Sequence, residues 1–337
     1  MRFLLRLTTL LLALGLIAAA GAAWWLNRPL PLAAPTVEVS IEPGTPPRDV
    51  AAAWVQAGVR TDHRLLYEWF RWSGQARRIR AGSYQIEAGT TPQDLLDKMV
   101  RGDEVLESIR LLEGWTFRQF RAELARAKSL KSTTATMTEP QLMAAIGAPP
   151  GQAAEGRFFP DTYAYSRGVS DVTVLKRAYA HMHKQLVQTW AERAADTPLK
   201  TMDEALTLAS IVEKETGAAS ERGLVAGVFV NRLRRGMPLQ TDPTVIYGLG
   251  ERFDGNLRKV DLQTDGPYNT YLRAGLPPTP ISMPGLASLR ATVSPDPTRA
   301  IFFVSRGDGS SEFNESIDAH NRAVDKYQRR RGAAGAK

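Results

Sequence analysis

Residues 41–50 have the sequence IEPGTPPRDV, and residues 86–95 repeat its pattern as IEAGTTPQDL. In each copy an apolar strand is followed by a glycine turn, then by a threonine that we expect to be the N-cap of a helix and by a proline in its first turn. An amphipathic run follows each copy and ends at glycine, at Gly58 and Gly102. A weaker third copy, LLEGWTFRQF, occupies residues 111–120. The pattern predicts strand–helix units and an α+β fold.

The first two copies lie within residues 36–107, which we expect to form one small αβ module, with residues 81–86 as its second strand. Small strand–helix units of this kind resemble LysM-like modules, which bind glycans. The alternative is a spacer that holds the next domain away from a membrane, and the sequence leaves both interpretations open.

A run of 20 uncharged residues, Leu7 to Leu26, precedes the module. A helix of this length spans about 30 Å, the thickness of a hydrocarbon core. Arg2 and Arg6 lie before the run and a tryptophan pair lies at its end. The positive-inside rule therefore predicts a single-pass anchor in the inner (plasma) membrane, with the remainder of the chain periplasmic.

A cleaved signal peptide is the competing interpretation, because residues 20–22 are small, as cleavage sites require. Both interpretations place the body of the chain outside the cytoplasm. We therefore expect no nucleic-acid partner, although 43 lysines and arginines against 35 acidic residues give a net charge of +8.

The composition also limits the chemistry. The chain has no cysteine and four histidines, which excludes disulfides, thiolate nucleophiles and cysteine-ligated metals. We expect neither a metal site nor a cofactor, and we expect catalysis to depend on carboxyl groups.

Two such carboxyl groups, Glu213 and Glu215, lie near the end of residues 201–217, TMDEALTLASIVEKETG. This segment predicts a helix that begins at a capping threonine, Thr201, and closes at glycine. At about 100° per residue, Glu215 lies within about 60° of Leu208, Ile211 and Val212. A carboxyl among apolar side chains, near the negative end of a helix dipole, has a raised pKa and suits a general acid. The alternative is an ordinary glutamate paired with Arg222 or Arg232.

The other candidate residues are polar or aromatic. A polar run, QTD at residues 240–242, precedes Pro243, which we expect to prevent a helix, so this loop is a candidate for binding sugar amides. An Asx turn that caps residues 244–247 is equally compatible with it. The supporting or substrate-binding candidates are Glu213, Gln240, Thr241, Asp242, Tyr247, Asn269 and Tyr271. The aromatic members are also compatible with simple packing.

Several motifs resemble the endolytic murein transglycosylases of the YceG-like family. They are LASIVEKET at 208–216, SER at 220–222, VFVNRL at 228–233, GMPLQTDPTVIYG at 236–248, YNTY at 268–271, GLPP at 275–278, and FN through HN at 313–321. The resemblance extends from the anchor to about residue 327, and residues 239–248 are its most specific part. Residues 125–155 match no pattern of the family.

The resemblance implies cleavage of the MurNAc–GlcNAc β-1,4 bond within peptidoglycan strands, leaving 1,6-anhydro-MurNAc ends and terminating the elongation of nascent strands. The family's catalytic glutamate falls on Glu215, in agreement with the helical phase. Expected partners are peptidoglycan strands, the membrane and peptidoglycan synthases. The alternatives are a catalytically silent peptidoglycan-binding scaffold and a hydrolytic muramidase, for which Asp242 is the nearby second carboxylate.

The predicted organisation therefore has five parts. They are a cytoplasmic tip and transmembrane anchor (1–28), a linker (29–35), the LysM-like module (36–107), a larger α+β catalytic domain (108–327) and a disordered basic tail (328–337).

Overall fold

The computed structural model describes residues 2–329, in which helices and strands are mixed along the chain, as the α+β prediction requires. The described residues divide into two compact units. The first unit runs to residue 108 and includes residues 164–169. The second comprises residues 109–163 and those from 170 onward.

The first unit is built from helices around one antiparallel pair of strands. Its elements are α1 (Arg2–Leu26), β1 (Thr36–Ile41), α2 (Pro47–Ala57), α3 (His63–Trp72), β2 (Gly82–Glu87) and α4 (Pro92–Arg101). The β1 and β2 strands pair with Val39 opposite Tyr84. Trp54, Phe70 and Leu95 join Tyr84 in its buried core. This core gives the module its own hydrophobic centre.

The two sequence copies start their helices differently. In the second copy Thr91 caps α4, and its hydroxyl and Asp94 form a reciprocal capping box. In the first copy Pro46 occupies the position of Thr91 and has no hydroxyl, so α2 starts without a side-chain cap. The prediction of a threonine cap is therefore wrong for α2, where Thr45 instead donates to the Glu42 carbonyl at 2.8 Å.

The α1 helix contains one segment, Arg6–Leu26, that is long and apolar enough to cross a membrane, with a mean hydropathy of 1.9. A signal sequence would meet the same criteria of length and composition. Residues 29–35, predicted to be a linker, are part of the first unit and form backbone hydrogen bonds within it. The Leu30 amide donates to the Thr90 carbonyl and the Ala33 amide to the Gly58 carbonyl, both at 2.8 Å.

The second unit is mostly helical. Two strands, β3 (Leu106–Arg110) and β4 (Thr162–Ser166), belong partly to each unit. The other elements of the second unit in chain order are α5 (Phe117–Arg126), α6 (Glu139–Ile146), α7 (Asp171–Ala191), α8 (Met202–Glu215), α9 (Arg222–Arg234), α10 (Asp242–Leu249), α11 (Lys259–Gln263), α12 (Leu286–Val293), β5 (Phe302–Ser305), β6 (Ser311–Asn314) and α13 (Ile317–Val324). The β3 and β4 strands form a two-stranded sheet in which each strand contains a unit boundary. The antiparallel β5 and β6 strands form a hairpin.

A π-helix, Asp325–Arg329, follows α13. The predicted disordered tail began at residue 328, but residues 328 and 329 complete this helix. The rest of that predicted tail, residues 330–337, lies outside the described residues.

The α8 helix lies in the core of the second unit, because every residue from Ala205 to Val212 is buried. Helices α7, α9 and α12 pack around it. Thr201 caps its first turn, as predicted, by accepting from the Glu204 amide. The helix ends at Glu215, and its cap is Thr216 instead of the predicted glycine. A buried helix of this kind holds its last residue in a fixed position.

Candidate functional site

Glu215 is the last residue of α8. Its carboxyl group contacts Thr241, in the polar loop that precedes α10. The Thr241 hydroxyl donates a hydrogen bond to Glu215 Oε1. Burial raises the pKa of the Glu215 carboxyl, the Thr241 hydrogen bond opposes that rise, and the negative charge of Asp242 adds to it. Among the described ion pairs none involves Glu215. The raised pKa favours a protonated carboxyl, which is able to donate a proton.

Two buried threonines, Thr244 and Thr270, hold Thr241, the donor to this carboxyl, in place. The Thr241 amide donates to Thr270 Oγ1 at 3.2 Å, and the Thr244 hydroxyl donates to the Thr241 carbonyl at 2.8 Å. The hydroxyls of Thr244 and Thr270 also share a hydrogen bond of 2.8 Å. The Thr241 backbone is thus fixed from two sides, which orients its hydroxyl toward Glu215.

A buried arginine organises the loop before Thr241. Arg232 on α9 donates through Nε to the Ile301 carbonyl at 2.7 Å and through Nη1 to the Leu239 carbonyl at 2.9 Å. The same Nη1 donates to Gln240 Oε1 at 3.2 Å. Gln240 has φ of 49°, in the left-handed region that side chains other than glycine rarely adopt. The Arg232 contacts therefore stabilise a strained backbone beside the candidate acid.

Glu215 faces a groove of about 740 Å³. Gln240, Asp242 and Tyr271 contribute polar atoms to its lining, and the Tyr271 hydroxyl donates to Asp242 Oδ1 at 2.6 Å. Burial and the neighbouring Asp242 raise the pKa of Tyr271, so the phenol stays protonated and remains a donor. The groove is also lined by Arg232, Phe302, Ser311, His320 and Asn321. It combines one acid with several groups that suit the hydroxyls, amides and apolar faces of sugars.

The polar run is only partly a loop. Gln240 and Thr241 lie in it, as predicted, but Asp242 is already the first residue of α10. Pro243 lies in the first turn of this helix, where its missing N–H costs no hydrogen bond. The prediction that Pro243 prevents a helix is therefore wrong, and Asp242 is placed at a rigid helix start beside the groove.

The other predicted residues do not line the groove. Glu213 Oε2 accepts from the Gly285 amide at 2.9 Å and from the Ser288 hydroxyl at 2.7 Å, at the start of α12. The Tyr247 hydroxyl donates to Glu155, at a separate cavity. The buried side chain of Asn269 accepts from the Tyr271 amide at 2.9 Å. These residues fix α12, α10 and the loop that carries Tyr271.

Several residues of the groove were not predicted as site residues, and three of them, Arg232, Phe302 and His320, contact one another or the polar loop. Arg232 was considered only as an ion-pair partner, yet it continues the apolar stripe of Val225 and Phe229 at helical spacing, a signal that it is buried. Phe302 stacks on His320 with 5.1 Å between ring centroids. Burial and the nearby Arg232 lower the pKa of His320, which keeps its ring neutral. The stacking of Phe302 on His320 depends on the tertiary fold and has no short-range sequence signal. Among the described residues no group of three or more His, Asp or Glu is placed to hold a metal ion.

Comparison with known proteins gives relatives of one kind. An endolytic murein transglycosylase of Bacillus subtilis strain 168 is 36% identical over 173 residues, covering 51% of this chain and 48% of the relative. One from Streptococcus pneumoniae serotype 2 strain D39 is 26% identical over 321 residues, covering 86% of this chain and 58% of the relative. The chain thus spans about half the length of these relatives.

A crystal structure of a YceG-like protein from Listeria monocytogenes has a similar fold. The TM-score is 0.55 and the identity 26%, over 85% of this chain and 98% of that chain. The model of the YceG-like family matches residues 39–326, which confirms the resemblance seen in the motifs. This chain belongs to the YceG-like family.

Proposed function

We propose that this chain is an endolytic lytic transglycosylase of peptidoglycan, which cleaves the MurNAc–GlcNAc β-1,4 bond without water and leaves 1,6-anhydro-MurNAc ends. The observation that carries the proposal is the partly buried Glu215 carboxyl, which faces the groove at the end of a rigid helix. Two relatives named endolytic murein transglycosylase give the substrate class.

In the first step Glu215, protonated, donates its proton to the glycosidic oxygen as the C1–O bond breaks. The N-acetyl group of the same sugar carries the positive charge at C1 as an oxazolinium species. The Thr241 hydrogen bond stabilises the carboxylate that this step leaves behind.

In the second step the Glu215 carboxylate accepts the proton of the C6 hydroxyl, and O6 forms the new bond to C1 as the C1–O bond of the oxazolinium breaks and the N-acetyl group is restored. The acid is regenerated and no water is consumed. One carboxyl group therefore suffices, and a raised pKa suits a group that must both donate and accept a proton.

A hydrolytic muramidase is the second candidate, because a second carboxylate, Asp242, lines the same groove. In that reaction Asp242 acts as a nucleophile or activates water while Glu215 donates the proton. The products then carry reducing MurNAc ends. A catalytically silent peptidoglycan-binding scaffold is the third candidate, and the intact carboxyl site argues against it.

We further propose that α1 is a single-pass anchor in the inner membrane, with the remainder of the chain periplasmic. The apolar length of Arg6–Leu26 supports this. In this placement the enzyme would act on strands as they leave peptidoglycan synthases, terminating their elongation.

We propose that residues 108–327 form the catalytic domain and residues 36–107 a LysM-like glycan-binding module. The closed core around the β1–β2 pair supports a separate small module.

The test is digestion of purified glycan strands by the full chain in mild detergent, with product ends identified by mass spectrometry. We expect anhydro ends from the native chain and none from Glu215→Gln. Reducing MurNAc ends would instead support the muramidase, and intact strands would support the scaffold.

Glu213→Gln, two residues away on the same helix, is the matched variant. Because Glu213 bonds to the start of α12, this change should lower stability and leave the nature of the product ends unchanged. Loss of cleavage in Glu213→Gln combined with full cleavage in Glu215→Gln would overturn the assignment of the acid.

A further inference from the structure

The second unit contains another cavity, of about 560 Å³, whose lining does not include Glu215. We call it the Glu155 pocket, defined by Phe117, Arg118, Arg121, Glu139, Glu155 and the tyrosine pair Tyr247 and Tyr268. Glu155 is only 7% exposed and reaches the cavity as a buried acid. A charged group is rarely buried beside a cavity unless it has a partner there or in the protein.

The partners that the protein supplies to Glu155 are neutral donors. Its carboxylate accepts from the Phe117 amide at 3.0 Å and 3.2 Å and from the Tyr247 hydroxyl at 3.1 Å. The described ion pairs include none to this carboxylate. A positively charged ligand group would therefore meet an uncompensated buried acid.

Aromatic residues line the same cavity as this acid. Tyr247 and Tyr268 meet edge to face with 4.9 Å between centroids, and the Tyr268 hydroxyl is fixed by a 2.7 Å hydrogen bond with Thr279. Phe117 lines the same cavity. A cavity lined by aromatic residues and a carboxylate suits an ammonium group.

The lining of the cavity carries two negative and two positive side chains in total. Glu139 adds a second carboxylate to the lining, while Arg118 and Arg121 add two guanidinium groups one turn apart on α5. Among the described ion pairs Arg118 forms an exposed one with Glu251, and the described bonds of Arg121 use Nη2 alone. Each guanidinium has five N–H donors, which leaves capacity for a carboxylate. A lone cation would meet the arginines and a lone anion would meet the glutamates, so the set suits a ligand that carries both charges.

The α10 helix connects this pocket to the groove. Asp242 at its start lines the groove and Tyr247 lines the Glu155 pocket. Five residues of helix rise by about 7.5 Å. Two or three extended peptide residues span about 7–10 Å, which matches this separation.

We propose that the Glu155 pocket binds the zwitterionic end of a peptidoglycan stem peptide, with the ammonium group at Glu155 and the tyrosines and the carboxylate at Arg118 and Arg121. The proposal rests on the proposed function for its substrate class. It makes the uncross-linked stem peptide a second determinant of substrate choice beside the glycan.

The test is calorimetric titration of the full chain in detergent with a free stem tripeptide that ends in diaminopimelate. This probe has no glycosidic bond, so binding is measured independently of cleavage. We expect saturable binding that weakens at least about tenfold when the side-chain amine is acetylated, and equally when the adjacent carboxylate is amidated, because each change removes a charge-assisted contact. Equal affinity for all three peptides, or no binding, would overturn the proposal.

The matched variants lie on one helix. Arg118→Gln should weaken the tripeptide at least about fivefold, whereas Arg126→Gln, exposed on α5 and outside the pocket, should not. Both side chains are exposed, so neither change should unfold the chain. Equal effects of the two would refute the site. A chain that binds the tripeptide but leaves glycan strands intact would refute the proposed function alone.

Discussion

The Thr241 hydroxyl donates its hydrogen bond to Oε1 of Glu215, which couples the polar loop directly to the candidate acid. The bond favours the charged carboxylate, in opposition to burial and to Asp242, which favour the neutral acid. Burial thus raises the pKa of Glu215, and two groups on adjacent residues, Thr241 and Asp242, adjust it in opposite directions.

Replacing Thr241 by valine removes the hydrogen bond and keeps the shape of the side chain. The pKa of Glu215 should rise, so cleavage should persist to higher pH, since a general acid acts in its protonated form. The maximal rate should fall about tenfold, because the carboxylate left after proton donation loses a charge-assisted bond. A pH–rate profile of strand cleavage measures both effects.

Thr241→Ser is the conservative counterpart, since it restores the hydroxyl. Its profile should return toward that of the native chain. If valine and serine variants behave alike, the hydroxyl has no role in tuning the acid.

Asp242→Asn should shift the same profile in the opposite direction. Removing the negative charge lowers the pKa of Glu215, so the loss of activity with rising pH should begin at lower pH. Asparagine still accepts from the Tyr271 hydroxyl, so the groove should keep its shape. At pH values below the shifted limb of the pH–rate profile, the variant should remain active. A loss on the order of 10³-fold or more at every pH would instead mean that Asp242 takes part in bond cleavage, as in a muramidase.

Arg232→Lys should loosen the loop that carries Thr241. Lysine keeps the charge but lacks the planar fork that spans the Ile301 carbonyl and the Gln240 side chain. We expect the free energy of unfolding to fall by about 2 kcal/mol, because buried carbonyls lose their donor. The pH–rate profile should shift as in Thr241→Val.

The double variant of Arg232→Lys and Thr241→Val provides the decisive comparison. If Arg232 acts through Thr241, the two effects on rate should be far from additive. Additive effects would show that Arg232 serves stability alone. Arg234→Lys is the control, because this exposed residue of α9 pairs only with Asp196 among the described ion pairs.

Helical phase in the sequence predicted that apolar surroundings raise the pKa of Glu215, and burial does raise it in the structure. The glycine signal also placed the end of α4 correctly, at Gly102. The contact of Glu215 with Thr241 was beyond sequence reasoning, since it depends on how α9 and the loop at Gln240 pack in three dimensions. The prediction that Pro243 prevents a helix was wrong because proline both ends helices and starts them.

The buried Glu155 should make the stability of the second unit depend on pH near neutrality. Burial, despite hydrogen bonds from Phe117 and Tyr247, raises the pKa of this carboxyl from 4.5 to about 7. The folded state therefore favours the protonated acid, so its contribution is fully present below pH 4.5 and is lost as the pH rises to about 7. A shift of this size corresponds to about 3 kcal/mol.

Urea unfolding of the full chain in detergent, followed by tryptophan fluorescence at pH 5 and pH 8, measures this contribution. Glu155→Gln removes the titration, so the difference in unfolding free energy between the two pH values should shrink by about 3 kcal/mol. Glu192→Gln, which alters an exposed glutamate at the end of α7, should leave that difference unchanged. An identical pH dependence in the native chain and Glu155→Gln would mean that the carboxyl is charged in the folded state at pH 5, contrary to the effect of its burial. The ammonium group of a bound tripeptide should favour the charged carboxyl, so saturating tripeptide should reduce the loss of stability between pH 5 and pH 8.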